Sequence, residues 1–537
     1  MPLPELVTLT IDGIAVRAPK GTSILEAART VGISIPYYCY HPGLSVVASC
    51  RMCLVEVHKV PKLQPSCATP VSEGMVVRTR TPETLRNRQA VLEFLLLNHP
   101  LDCPVCDQAG ECELQNYYME HGAYDARFNE DKTKRKKATP IGPHVMLDQE
   151  RCILCTRCIR FTQEISRSGE LGVMERGHKS EIDLFPGMEL NNPYSGNVVD
   201  LCPVGALTDR DFRFQCRVWF LGRTPSICPG CSRGCNIEIH YNERFNARYH
   251  DKRVHRLKPR YNKDVNGFWI CDEGRYAYPA IDAPERLMSP MIRRAAALET
   301  AAWDQAISQA ASAIREAVDR HGPDAIALLA SPQMTNEELF RLRRLFRDFL
   351  KVGRLEYRVP PSGPVYSDDF LITADKNPNS RGAEALGFSG KGSAELLRDC
   401  ADGKVRLLYI CHHDLTRGHD PETVRTALSG VDCVIFQGSW GQATSEAAHI
   451  VLPSAVYAEK EGTFTNLDGR VQRIHAAVPP LGESLPDLEI IVALAAALDI
   501  PLPSAPAREI FNEIGRHVEA FAGLAYESLG GGGQLLK

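Results

Sequence analysis

Fifteen of the nineteen cysteines stand in four groups between residues 39 and 271, and each group has the spacing of an iron–sulfur ligand set. Such clusters are held by thiolates and take up or release single electrons without a substrate pocket. Four sets on one chain therefore point to relay of electrons rather than one reaction at one site. The first set is Cys39, Cys50, Cys53 and Cys67, spaced C-x10-C-x2-C-x13-C. Cys50 and Cys53 lie on one tight loop and are expected to share one iron, with Cys39 and Cys67 closing the other. Plant-type 2Fe–2S spacing begins C-x4-C-x2-C, so the longer first interval makes this a variant. Four thiolates also suit zinc, which is the competing reading.

The second set is His99, Cys103, Cys106 and Cys112, spaced H-x3-C-x2-C-x5-C. A lone histidine near cysteines is usually not a ligand, so spacing alone leaves His99 undecided. Its place at the end of a helix, one short loop before Cys103, does let the ring reach the same metal core. A neutral imidazole in place of a thiolate lowers the negative charge of a cluster and by itself raises its potential, an effect that hydrogen bonding and burial can offset. The third set is Cys152, Cys155, Cys158 and Cys202, spaced C-x2-C-x2-C-x43-C. It keeps three cysteines of the bacterial run C-x2-C-x2-C-x3-C-P, and Cys202-Pro203 supplies the Cys-Pro ending late. We therefore close one 4Fe–4S cluster with Cys202. The fourth set is Cys228, Cys231, Cys235 and Cys271, where Pro229, Gly230 and Gly234 tighten the loop. A zinc ribbon competes here, while the x3 interval and the following Asp272-Glu273-Gly274-Arg275 favour 4Fe–4S. Cys411 and Cys433 fall in expected core strands and read as small buried hydrophobes. Cys216 and Cys400 take no assignment.

The elements that carry these sets are legible in outline. Val7, Leu9 and Ile11 alternate with threonines as in a half-buried strand, and Asp12-Gly13 signals a hairpin. Ser23-Ile24-Leu25-Glu26 is a capping box opening a helix to about Thr30, which Gly32 ends. Hairpin, helix and a cysteine-bearing loop suggest a β-grasp ferredoxin. Residues 83–98 form an amphipathic helix closed by His99-Pro100, and a short helix follows near Leu114–Glu120. The run Lys132-Thr133-Lys134-Arg135-Lys136-Lys137 reads as a solvated linker, with a docking patch for an acidic partner as the sharper alternative. From about 283 cysteines thin out. Helices at Ala302–Val318, Asn336–Leu350 and Pro421–Leu428 alternate with strands at Asp324–Leu329, Val405–Cys411 and Asp432–Gln437, which implies parallel α/β layers. Gly530–Gly533 reads as a flexible tail.

At 537 residues the chain needs several domains. A net charge of −4 gives no pull toward nucleic acid or anionic lipid. The N-terminus has neither signal-peptide nor transit-peptide character. The windows Val91–Leu97 and Leu488–Leu498 fall well short of the roughly 20 residues that a membrane span needs. Any membrane association is expected to run through partner chains. Without a secretory signal, this many cysteines indicate metal ligation in a reducing compartment rather than disulfides. No P-loop and no G-x-G-x-x-G after a strand occurs, so neither NADH nor a flavin has an evident site, and a partner must load the electrons.

Five segments, SCRMCLVEV, NHPLDCPVCDQAGECELQ, RCILCTRCIRF, LCPVGAL and WICDEGR, carry a resemblance over residues 1 to about 280. They resemble the large iron–sulfur subunit of respiratory complex I (NADH:quinone oxidoreductase). Further on, ERLMSPMIRR, TAAWDQAI, ADKNPNSRGAEALG and AAHIVLPSAVYAEKEGTFTNLDGRVQ resemble a shortened molybdopterin-oxidoreductase domain. The resemblance implies a multidomain α+β and α/β chain. Its modules would be a β-grasp 2Fe–2S domain at 1–82, a 4Fe–4S domain with one His and three Cys ligands at 83–122, a ferredoxin-like 4Fe–4S domain at 143–216, a 4Fe–4S Mo/W bis-MGD-type domain at 221–277 and the shortened domain at 278–537. It makes His99 a ligand. It implies one 2Fe–2S and three 4Fe–4S clusters and no catalytic residue.

The implied route brings electrons from a flavin- and NADH-binding subunit and its 2Fe–2S partner. They enter through the 2Fe–2S set or its neighbours, pass the Cys152 set and then the His99 set, leave for the iron–sulfur subunits of the quinone module and finally reach quinone. The Cys228 set stands off that route with a structural role. Contact with the membrane arm is indirect, at the cytoplasmic face of the bacterial inner membrane, and no nucleic acid is involved. Molybdopterin is not expected. Relatives that bind the metal ligate it with Cys, selenocysteine, Ser or Asp; here Leu355–Gly387 has no cysteine, and Ser362 and Ser367 are candidates only in the weakest sense. Competing functions are the relay subunit of an NAD-linked formate dehydrogenase or hydrogenase, and a zinc-binding scaffold.

Overall fold

A computed structural model describes residues 5–242, 252–295, 297–361 and 363–537. Ser362 lies outside the described residues. The chain divides into two compact units, Met1–Phe220 and Leu221–Lys537.

In the first unit the hairpin forms as the alternation predicts. Leu6–Ile11 pairs antiparallel with Ile14–Pro19, and Asp12 and Gly13 both take positive φ, as the tight turn between twisted strands requires. Val76–Arg78 joins parallel to the first strand, and Leu54–Val57 and Gln64–Pro65 complete a five-stranded sheet. The helix Ile24–Thr30 packs Ile24, Leu25, Ala27 and Ala28 onto it. Ser23 caps that helix by accepting from the Glu26 amide. The reciprocal half of the expected capping box is missing, because the Glu26 carboxylate is taken by Arg29 and the Tyr40 hydroxyl.

The next helix, Pro82–Leu96, begins behind the N-cap Thr81 with proline in its first turn, where a missing N–H costs nothing. A second helix, Glu113–His121, packs beside it. The basic run is not the solvated linker that its composition suggests. Lys132 donates to the carbonyls of Leu96 and Leu97, at 2.7 and 3.0 Å. Arg135 reaches the carbonyls of His178 and Ser180, Lys136 pairs with Asp183, and Lys137 pairs with Asp102 and Glu150. The run is a strap, ordered because cations satisfy the open carbonyls at a helix C-terminus. The third module adds a small sheet of Thr139–Pro140, Val145–Leu147 and Leu207–Asp209, a hairpin at Leu171–Met174 and Glu181–Leu184, and a short helix Arg157–Arg160.

The second unit opens with three antiparallel strands, Leu221–Ile227, Asn236–Asn242 and Val254–Pro259. Its centre is a seven-stranded sheet. The strands Cys433–Gly438, Leu407–Cys411, Ile326–Leu329, Arg354–Glu356 and Ile450–Pro453 run parallel, and Met291–Arg294 and Ala297–Thr300 form an antiparallel edge. Parallel strands must be covered on both faces, and the alternation shows it. Leu407, Tyr409 and Cys411 face one apolar core, while Leu408 and Ile410 face the other. The helix expected at Asn336–Leu350 is an α-helix only over Asn336–Arg343 and continues as a wider turn over Arg344–Phe349. Cys400 and Cys411 are buried, and Cys433 is half-buried.

The glycine run near the C-terminus is also not a free tail. Arg473 and Arg470 donate to the carbonyls of Gly530 and Gly533, and Arg260 and Asn262 to those of Gly531 and Gly532. Gln534–Leu535 then pairs with the strand Arg470–Ile474. Among the described residues no helix is long and apolar enough to cross a membrane.

Candidate metal centres

The structure brings the members of each of the four sets near one another. Cys39, Cys53 and Cys67 are buried and Cys50 is half-buried. Cys39 lies beside Cys50, and Cys53 beside Cys67. Two sulfurs that share an iron must be neighbours, and this arrangement sets Cys39 with Cys50 and Cys53 with Cys67 rather than Cys50 with Cys53. The reason is local backbone. Ala48 and Arg51 both adopt left-handed φ, and these turns fold the long loop back to bring Cys50 against Cys39.

The second set lines one cavity together with Asp102, Gln115, Arg151 and Gly205. A Cβ on Gly205 would collide with the Cys106 sulfur, so only glycine leaves that sulfur its place. Burial, and then the nearby Arg151 and Lys132, lower the His99 pKa to about 4. The ring is therefore neutral at ordinary pH and free to offer a nitrogen lone pair. Lys132 fixes the helix end from which His99 projects. Arg151 is clamped by Asp102 and Asp148 in the wall beside it, and Arg217 donates to the carbonyls of Pro104 and Cys106, both at 2.6 Å.

The third set, Cys152, Cys155, Cys158 and Cys202, lines another cavity, whose walls are otherwise largely apolar, with Leu147, Ile153, Ile182, Val204 and Leu207 among them. Leu154 and Thr156 have positive φ, which turns the intervening loop so that successive sulfurs face inward. Arg160 donates to the carbonyls of Cys39, Ser45 and Cys155 and so ties the loop of the first set to that of the third. In the second unit, Cys228 and Cys235 are joined by a backbone hydrogen bond of 2.9 Å. The Gly274 amide donates to the Cys271 sulfur at 3.3 Å. A Cβ on Gly274 would come within 2.9 Å of the Cys228 sulfur and 3.5 Å of the Cys271 sulfur, so the glycine marks a cradle closed around them.

The chemistry of these donor sets fits cationic clusters. Burial raises the thiol of Cys112 to about 11, that of Cys152 to about 12 and that of Cys155 to about 11. Thiols so placed ionise when a metal replaces the proton. Among the described residues no three His, Cys, Asp or Glu side chains gather around a single-ion centre. The ligands of a cube of iron and sulfide stand around its corners and need not meet at one point. Sequence reasoning missed Arg151, Arg160, Arg217 and the Lys132 strap. Arg160 alone carried a signal, standing two residues after the last close cysteine in RCIRF.

Five family models match in order along the chain. They are a 2Fe-2S iron-sulfur cluster binding domain at residues 5–82, the NADH-ubiquinone oxidoreductase-G iron-sulfur binding region at 88–127, and the ferredoxin-like domain of NADH-quinone oxidoreductase subunit 3 at 142–208. The molybdopterin oxidoreductase Fe4S4 domain follows at 222–282, and molybdopterin oxidoreductase at 286–356 and 352–497. Domains of these kinds on one chain define a modular protein with 2Fe–2S and 4Fe–4S binding domains, fused to a molybdopterin-oxidoreductase-like α/β domain. The G subunit of NADH-quinone oxidoreductase from Rickettsia felis is 30% identical over 97% of this chain and 92% of its own length. The mitochondrial NADH-ubiquinone oxidoreductase 78 kDa subunit of Neurospora crassa is 44% identical over 93% of this chain and 82% of its own. The chain belongs to this family, the G subunits of NADH-quinone oxidoreductase. A chain from the crystal structure of NAD+-reducing [NiFe]-hydrogenase in the H2-reduced state aligns at 30% identity. That alignment covers 40% of this chain and 91% of the other, with a TM-score of 0.36. The alignment with the Rickettsia protein runs to 633 positions although this chain has 537 residues, so the relative carries segments that this chain lacks.

Proposed function

We propose that the chain is the iron–sulfur relay subunit of NADH:quinone oxidoreductase, passing single electrons from the flavin subunit toward the quinone-reducing module. One observation carries this reading. Cysteines of three sets, namely Cys50, Cys112, and Cys152, Cys155 and Cys202, pack against one small apolar core of Tyr38, Met52, Leu92, Leu114, Val204 and Ala206. Three ligand sets around one dry core suit transfer between them, whereas separate zinc ribbons have no need to share one.

In this reading Cys39, Cys50, Cys53 and Cys67 hold a 2Fe–2S cluster, and His99, Cys103, Cys106 and Cys112 hold a 4Fe–4S cluster. Cys152, Cys155, Cys158 and Cys202 hold a second 4Fe–4S cluster, and Cys228, Cys231, Cys235 and Cys271 a third. When bound, such clusters supply reversible one-electron acceptance. The chain's own residues do the rest. The apolar core excludes water, Lys132 holds the helix end that carries His99, and Arg160 keeps two ligand loops together. The partners are the flavin- and NADH-binding subunit with its 2Fe–2S companion and the iron–sulfur subunits of the quinone module. The chain is peripheral at the cytoplasmic face of the bacterial inner membrane. The Cys228 set belongs with the second unit, where it has a structural role.

Paired variants of the assembled enzyme test this. Cys231→Ser removes the EPR signal of its own cluster and leaves NADH:quinone turnover within about twofold, a change too small for a lost conducting step. Loss of a ligand from the sets of the first unit ends turnover. A large loss in an intact complex carrying Cys231→Ser contradicts the structural role, and turnover surviving loss of a first-unit ligand contradicts the relay.

A further inference from the structure

Tyr38 has no solvent exposure and sits at the centre of the apolar core that the three ligand sets share. Its ring meets that of Tyr117 edge-on, with centroids 5.4 Å apart. Its hydroxyl is buried and has no hydrogen-bond partner in the protein. A buried hydroxyl left so is unfavourable. Tyr457, near Cys228 of the fourth set, has a hydroxyl left in the same way, whereas three other tyrosines avoid that cost. Tyr409 donates to Gln437, Tyr357 to Glu384 and Tyr40 to Glu26. The cysteines packed against this core put what they hold within its surroundings as an acceptor.

We propose that the Tyr38 hydroxyl donates a hydrogen bond to a sulfur of the His99 cluster at Cys112 and so sets that cluster's potential, while its ring fills the space between this set and Cys50 of the 2Fe–2S set. This rests on the cluster assignment above. Tyr117, which meets the Tyr38 ring edge-on, lies on the helix Glu113–His121 that Cys112 opens, which sets the phenol beside that ligand. Hydrogen bonds to cluster sulfurs stabilise the more negative, reduced state and raise the potential. Met52, Leu92 and Leu114 keep water from competing for that acceptor.

The test is Tyr38→Phe in the assembled complex, which removes one oxygen and keeps the ring. EPR-monitored redox titration is expected to show the His99 cluster harder to reduce by about tenfold in its one-electron equilibrium, roughly 59 mV. The Cys228 cluster serves as internal control and stays unchanged. Intact clusters with unshifted potentials overturn the proposal, and so does a shift confined to the 2Fe–2S cluster. If the variant loses the cluster, hyperfine spectroscopy of the unaltered complex decides. A tyrosine proton coupled to the His99 cluster supports the bond, and its absence overturns it. Failure to find any His99-cluster signal in the unaltered complex overturns the assignment beneath it, a result distinct from an unshifted potential.

Discussion

His99→Ala in the assembled enzyme is expected to delete the EPR signal of one 4Fe–4S cluster and to lower NADH:quinone turnover by more than about 100-fold, beyond the usual cost of altering an outlying partner of a ligand. The imidazole lines the same cavity as Cys103, Cys106 and Cys112. It is neutral because burial and Arg151 lower its pKa to about 4, so no proton has to leave before it binds iron. Alanine offers no donor, and Lys132 holds the helix end in place, which keeps a neighbouring group from swinging in. His99→Cys separates the ligand role from packing. A thiolate restores a donor but adds negative charge, so the cluster returns at a lower potential. A cluster signal untouched by His99→Ala would remove the histidine from the ligand set.

The second large effect is expected on stability. Lys460 is buried between Glu338, at 3.0 Å, and Asp487, at 2.7 Å. Asp487 also accepts from Gln437 and pairs with His412. Lys460→Met strands two buried carboxylates without their cation. Breaking a buried pair in this way costs about 3–5 kcal/mol, and for a unit of this size that lowers the melting temperature by roughly 10 °C. Differential scanning calorimetry reads it. Adding Glu338→Gln and Asp487→Asn to Lys460→Met should recover most of the loss, because the stranded charges are then gone. An unchanged melting temperature in the single variant would show that this ion cluster contributes nothing.

The parts of the fold legible in the sequence are those set by local chemistry. Asp12-Gly13 fixes a hairpin because both residues accept positive φ, and the buried parallel strands announce themselves by runs such as Leu407–Cys411. Ligand sets are legible for the same reason, since a C-x2-C interval constrains two sulfurs whatever surrounds them. What depends on distant partners was not legible. The pairing of Cys39 with Cys50 is decided by the path of a ten-residue loop. Lys132 has a linker's composition, and its carbonyl partners lie more than thirty residues away. Gly530–Gly533 looks like a tail until Arg260 and Asn262, over two hundred and sixty residues earlier, are seen to hold it. Tyr38 beside Cys39 reads as an ordinary core aromatic, and its unmet hydroxyl is visible only in the fold.

The central claim is that these sixteen side chains hold iron–sulfur clusters and not zinc. Iron, acid-labile sulfide and zinc analysis of the full-length chain, isolated without oxygen and followed by EPR after chemical reduction, tests it most directly. The account predicts iron matching one two-iron and three four-iron clusters, equivalent sulfide, EPR signals of both cluster types and negligible zinc. A colourless, EPR-silent chain carrying stoichiometric zinc would contradict it.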